Sequence, residues 1–319
     1  MQEEQRSIWA NPPITFTAAI FCCVLWGSAT PAIKIAYELF QIPSADTASR
    51  LVLAGARFMI AGIMILVSGS LIEKRILLPK KSSLWKIVIL ALVQTVGQYY
   101  FFFLSLANIP GVRGSIINGS GNFLAILFAA YLFHLERMTL RKWAGCIAGF
   151  TGILFLLGGP AVILEGGTVT FAGEGAMMIA NIFYALSGCL IKIFSRDDDP
   201  IMLSGTQFLL GGAILFLIGL QMGGRLIFHS ASCILNLLYL GFISAGAYTI
   251  WGILLKYNPV SRVSILGFLN PVMGVLLSAL FLGEHKEAFS FNGLIALVLV
   301  SLGIIIVNSG NSPSPKSIR

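Results

Sequence analysis

The side chains able to do chemistry in this sequence are amides and aromatics set at helical spacing inside long apolar runs. Gln94 and Gln98 lie four positions apart, as do Asn118 and Asn122, while Asn181 and Tyr184, and Tyr248 and Trp251, lie three apart. Trp26 and Asn270 stand near the middle of their own runs. Residues three or four apart share a helix face, so each pair turns two polar tips to one side. Amides both donate and accept, and indole and phenol rings add an apolar wall with one polar end. Such a set does no covalent chemistry. It suits an aromatic-walled cavity for a neutral or zwitterionic amphipathic solute, and the competing use of the same amides is bonding between packed helices.

The groups that would drive a reaction are elsewhere. All 13 Asp and Glu lie in tails, loops or helix ends, so no paired carboxylates stand at mid-run for acid–base work. His134, His229 and His285 lie at or near helix ends and belong to no H-E-x-x-H pattern. Cys22, Cys23, Cys146, Cys189 and Cys233 show neither metal-ligand spacing nor a paired framework, and are read as buried free thiols. The sequence therefore predicts no enzyme, no cofactor and no metal. It also predicts that no intramembrane carboxylate relays protons.

The elements that must position these residues follow from composition. Of 319 residues, 11% are charged and 57% hydrophobic, against about 25% charged in soluble proteins. Too few charges remain to solvate a soluble fold, and too much apolar surface to leave the chain disordered. Uncharged runs cover Ser7–Ile33, Ile87–Val112, Gly114–Leu135, Trp143–Leu164, Gly175–Ile191, Pro200–Gly224, Leu226–Leu255, Val263–Gly283 and Ala288–Pro315, and a further run, Leu51–Ile72, is broken only by Arg57. Each approaches or exceeds the roughly 20 residues that cross a bilayer as a helix, and none alternates as a barrel strand would. The expected fold is an all-α polytopic membrane protein of ten transmembrane helices. The first run is longer than a signal-peptide core and is read as a retained helix.

Charge gives orientation. With the N-terminus in the cytoplasm, the inner segments hold fifteen Lys and Arg, including Lys74, Arg75, Lys80, Lys81, Lys86, Arg137, Arg141 and Lys142. The outer loops hold four: Arg50, Arg113, Arg225 and Lys286. This positive-inside bias places both termini in the cytoplasm. It also accounts for the net charge of +8 without a nucleic-acid partner. Short loops point to a bacterial plasma (inner) membrane.

The chain also repeats itself. A shift of 148 aligns Val112–Leu154 with Val260–Leu302 and pairs Gly119 with Gly267, Asn122 with Asn270, and Glu136 with Glu284. A shift of 150 pairs Gly55, Phe58 and Gly62 with Gly205, Phe208 and Gly212, and a shift of 158 pairs Lys34 with Lys192. The organisation expected is a tail 1–13, a five-helix repeat 14–160, an outer loop 161–172, a second repeat 173–308 and a tail 309–319. Five helices are an odd number, so the second repeat enters from the opposite side. Inverted repeats of this kind build alternating-access carriers with a solute site near mid-membrane. As repeat mates at membrane depth, Asn122 and Asn270 are the amides with most claim to line the pathway.

Trp26-Gly27-Ser28 followed by Lys34, Ala56-Arg57-Phe58 in the second helix, and Leu135-Glu136-Arg137 and Gly283-Glu284-His285 closing the fourth and ninth helices resemble the drug/metabolite transporter superfamily of EamA type. The resemblance spans about Phe16 to Val307 in two copies. It implies a ten-helix carrier of small organic solutes such as amino acids or metabolites, often outward. It also implies a proline midway along helices four and nine. Pro271 is present but its mate is Phe123, so that kink does not carry over to the fourth helix. Lys34, Arg57, Glu136 and Glu284 are expected as structural or gating charges. Arg57, some six residues into its helix from the outer side, needs a partner or must reach toward the interface, and Glu38 and Asp46 are the candidate partners on the same side. Gly145 and Gly149 form a G-x-x-x-G that predicts a close helix contact. The expected partners are the solute and the lipid bilayer, with a homodimer left open. A receptor or scaffold on the same fold, and a channel, are the competing functions.

Overall fold

The computed structural model describes residues 8–43, 45–106, 108–109, 111–156, 170–282 and 291–308. Ten helical rods account for them. The rods are α1 (Pro12–Leu39), α2 (Thr47–Glu73), α3 (Leu84–Leu90, Ala91–Gly97 and Gln98–Leu106), α4 (Gly111–Leu127, then Phe128–Leu132) and α5 (Leu140–Leu156). The second half holds α6 (Phe171–Gly175, then Ala176–Phe194), α7 (Pro200–Gln221), α8 (Ala231–Tyr257), α9 (Val260–Leu266, then Leu269–Leu282) and α10 (Phe291–Asn308). The face at which α1 begins is called the near face, its opposite the far face.

Local sequence explains the ends. α2 starts where the Asp46 carboxylate accepts the Ser49 amide at 2.8 Å, and stops at Lys74 in the left-handed conformation. α7 starts on Asp199, which accepts from Ile201 N at 2.7 Å, with Pro200 in the first helical position. Both are standard start signals, since an acidic N-cap satisfies free amides and proline loses nothing at the first turn. α9 breaks at Gly267–Phe268, where the amides of Gly267 and Phe268 bond three residues back instead of four. Pro271, which has no N–H to give to the Gly267 carbonyl, accounts for the break. Its mate Phe123 leaves α4 continuous from Gly111 to Leu127, as the missing proline led one to expect.

Six rods, α1 to α3 and α6 to α8, are each long and apolar enough to cross a membrane unaided. Among the described residues α4 and α10 carry shorter apolar segments, Ile117–Leu132 and Ile295–Val307.

The packing carries the two-fold relation between the repeats. Exchanging the halves maps α1 onto α6, α2 onto α7, and so on through α5 onto α10. The major contacts obey that exchange: α2 packs on α7 and α5 on α10, α1–α8 is matched by α3–α6, α1–α9 by α4–α6, and α2–α8 by α3–α7. The mates run antiparallel. A methyl added to Gly62 would come 2.7 Å from the Gly205 carbonyl, and one added to Gly212 would come 2.9 Å from the Gly55 carbonyl. Along α2 the contact positions rise while along α7 they fall, so the second repeat is inverted. The expected contact of Gly145 is with α10, since a methyl on Gly303 would meet the Gly145 carbonyl at 2.7 Å. Only glycine permits backbones this close.

Candidate functional site

The axis relating the repeats passes between two mates. Phe58 of α2 and Phe208 of α7 stack with centroids 5.0 Å apart and planes 21° apart. Each then meets a tyrosine edge-on, Phe58 with Tyr99 at 4.5 Å and Phe208 with Tyr248 at 5.0 Å. The Tyr99 and Tyr248 hydroxyls bond to each other at 2.8 Å. Trp26 of α1 stands edge-on to Tyr248 at 5.2 Å and to Trp251 at 5.0 Å. Edge-to-face pairs of this kind fix ring orientation beyond what apolar burial gives. The result is a rigid aromatic wall.

Against this wall lies a cavity lined by Gln94, Tyr184, Ser204, Tyr248, Trp251 and Ser264, among others. It leaves about 20 Å³ for the centre of a water-sized sphere, which is room for one water. An organic solute needs several times that volume.

The predicted polar residues divide into three groups. Gln94, Tyr184, Tyr248 and Trp251 line the cavity, and Trp26 backs it. Gln94 Oε1 accepts from Gln207 Nε2 at 3.1 Å, while Thr95 Oγ1 donates to Gln207 Oε1 at 2.7 Å, closing a buried α3–α7 network. Tyr184 donates to Asn122 Oδ1 at 3.1 Å, which sets Asn122 one bond behind the lining. Asn181 serves packing: it donates to the Ile117 carbonyl at 2.5 Å and to Ser120 Oγ at 3.1 Å, joining α6 to α4. Asn118 is exposed, and Asn270 is half-buried just beyond the break in α9.

One pairing differs from expectation. Residues 91–97 of α3 form a π segment, where each amide bonds five residues back. Gln98 therefore falls short of a full turn from Gln94, and Tyr99, five residues on, takes the shared face. In sequence Tyr99 heads the aromatic run Tyr99–Phe103, a pattern that alone gives ordinary packing or lipid-facing surface. The signal that would have found it is the π segment, which side-chain pattern alone does not reveal. Gln98 keeps a buried Oε1 with no hydrogen-bond partner, and so does Trp26 with its Nε1.

The charges are also placed. α2 begins at Thr47, not Leu51, so Arg57 lies ten residues in, about 15 Å along the axis, and not six. It is only 6% exposed. Neither Glu38 nor Asp46 pairs with it; its guanidinium lies over the rings of Phe58 at 4.6 Å and Tyr99 at 5.3 Å. Its Nε is buried without a hydrogen bond. A charge at such depth costs roughly 2.5–3.5 kcal/mol on insertion scales. Lys34 is exposed near the end of α1. Its mate Lys192, absent from the predicted set, donates to the carbonyls of Leu255 (2.8 Å) and Asn258 at the end of α8. Glu136 accepts from Ser261 N at 2.8 Å, Ser261 Oγ at 2.5 Å and Lys142 Nζ at 2.6 Å, tying the α4–α5 turn to the start of α9. Glu284 lies outside the described residues.

More ties close the near face. Asp198 accepts from Ser83 Oγ at 2.6 Å and Lys86 Nζ at 2.7 Å. Burial opposes its charge, but these bonds prevail and hold it below the usual carboxylate range. Burial, then a hydrogen bond shared with Glu73, pushes Asp199 up to about 6. Asn258 Nδ2 donates to the Trp9 carbonyl at 2.9 Å, joining α8 to the chain before α1.

Comparison with known proteins completes the picture. The profile of the EamA-like transporter family matches residues 14–158 and 171–309. The chain is 27% identical to a probable amino-acid metabolite efflux pump of Escherichia coli (strain K12), over 90% of this chain and 92% of that protein. It is also 27% identical to a WAT1-related chloroplastic protein of Arabidopsis thaliana, over 93% of this chain and 70% of that one. A solved crystal structure shares the fold with a TM-score of 0.74 at 21% identity, covering 92% of this chain and 96% of that chain.

Proposed function

Because the chain belongs to the EamA-like transporter family, we propose that it carries a small amphipathic solute, an amino acid or related metabolite, by alternating access of the central cavity. The protein is a membrane-embedded solute transporter and not an enzyme. The receptor or scaffold reading finds no support among its relatives. The observation that carries the proposal is the position and size of the cavity. It lies beside the axis of inverted repeats, draws Gln94 and Ala125 from one half and Tyr184, Tyr248 and Trp251 from the other, and admits one water as it stands. A site of that kind opens by rocking one repeat, 14–160, against the other, 173–308.

On the charge bias, the near face is cytoplasmic, with both termini inside a bacterial plasma membrane. The ties of Glu136, Lys192 and Asn258 then seal the cytoplasmic end in this form. Trp26, Gln94, Tyr184, Tyr248 and Trp251 form the pathway, with Asn122 and Asn270 behind it. Outward movement fits the relative named as an efflux pump. Proteoliposomes loaded with unlabelled amino acids should accumulate the labelled solute by counterflow, and Asn122→Ala should impair that flux with insertion intact. Binding without accumulation across a full amino-acid and nucleoside panel would refute transport.

A further inference from the structure

Position 57 and its mate 207 occupy equivalent places on either side of the axis, next to the stacked Phe58 and Phe208. In the second repeat the residue is a neutral amide, fully buried, and both ends of Gln207 are satisfied by Gln94 and Thr95. The fold is therefore content with an uncharged group there. In the first repeat the residue is an arginine, and no carboxylate among the described residues forms an ion pair with it. Its guanidinium carbon lies over the rings of Phe58 and Tyr99, and its Nε is buried without a hydrogen-bond partner. The N–H groups of a guanidinium match a carboxylate in a two-pronged fork. A buried charge is normally paired, and here no carboxylate among the described residues supplies the anion.

Trp26 Nε1 of the same wall is likewise a buried polar atom without a partner. Trp26 and Arg57 both meet the linked Tyr99–Tyr248 pair, whose second member lines the cavity. Together these offer a cation for a carboxylate and rings for an apolar part of the solute. We propose that Arg57 anchors the carboxylate of the transported solute. This rests on the transport reading above and adds the anchoring residue.

The test compares each acid with its amide, which keeps the amine and side chain and loses the anion. Phenylalanine, tryptophan and leucine are measured with their primary amides, by equilibrium binding to purified protein and by counterflow. The variant is Arg57→Gln, which installs the residue the fold already accepts at position 207; a thermal melt checks that it folds. Wild type should prefer at least one acid over its amide by tenfold or more, and Arg57→Gln should erase that preference while retaining weak binding of both. Arg57→Lys should restore part of it, since it keeps charge but not the fork. Equal affinity of wild type for acid and amide, no saturable binding of any acid, or a preference that survives in Arg57→Gln would each overturn the assignment. Counterflow of an amide as fast as its acid sinks the anchor and leaves transport standing, whereas binding of acids without counterflow sinks transport and leaves the anchor.

Discussion

The near-face seal can be tested through one carboxylate. Glu136 holds two groups of Ser261 and the Lys142 ammonium at 2.5–2.8 Å. The ion pair is largely shielded, with side chains 17% and 10% exposed for Lys142 and Glu136. Glu136→Gln keeps the shape and one acceptor oxygen but removes the charge. Bonds to charged groups are worth about 1.5–3 kcal/mol and neutral ones about 0.5–1.5, and the weakened pair adds to that difference. The change should cost the sealed form about 2–4 kcal/mol, or roughly 30- to 1,000-fold in its population relative to a form open at the near face. Partial retention of the bonds in the open form still leaves tenfold. A cysteine at Ser264, which lines the cavity and is 3% exposed, reports access. Its labelling by a membrane-impermeant maleimide from the near face should accelerate at least tenfold in the Glu136→Gln background. The five native cysteines are buried, and the variant without the added cysteine sets the background. An unchanged rate in folded protein, or acceleration only from the far face, would show that Glu136 does not hold this seal.

Three further outcomes follow from individual contacts. Gly212→Ala places a methyl 2.8 Å from Met59 N and 2.9 Å from the Gly55 carbonyl. Overpacking of about 1–3 kcal/mol should lower Tm in detergent by roughly 2–10 °C, and an unshifted melt would refute the close α2–α7 contact. Tyr184→Phe removes the donor to Asn122 Oδ1, so counterflow should fall about fivefold for a bond worth near 1 kcal/mol, with Tm little changed; full flux would refute it. Asp199 titrates near 6 against an ordinary 3.8, so folding favours its protonated form, and the charging penalty appears as pH rises through that interval and is full above 6. Asp199→Asn keeps an acceptor for Ile201 N and cannot charge, so the wild type should lose more Tm than the variant between pH 5 and pH 8. Parallel pH profiles would count against the shared proton.

The number, order and inversion of the helices were legible because the bilayer constrains them severely: length, apolarity and loop charge each report one physical requirement. The site was less legible, and α3 and α2 show why. Placing Gln94 and Gln98 on one face assumed 3.6 residues per turn, and one π segment breaks that assumption without changing composition. Tyr99 enters the wall through that segment, although Tyr99–Phe103 reads as an unbroken aromatic run suited to lipid. Counted from Leu51, the first residue after a charge, Arg57 falls nearer the surface than it lies, because Arg50 is inside α2, over the Tyr37 ring. A charge ends an uncharged run but need not end a helix. That depth matters most for Arg57, because a guanidinium near an interface can reach water, while one ten residues deep, walled by rings and with no acidic partner among the described residues, requires an anion from elsewhere.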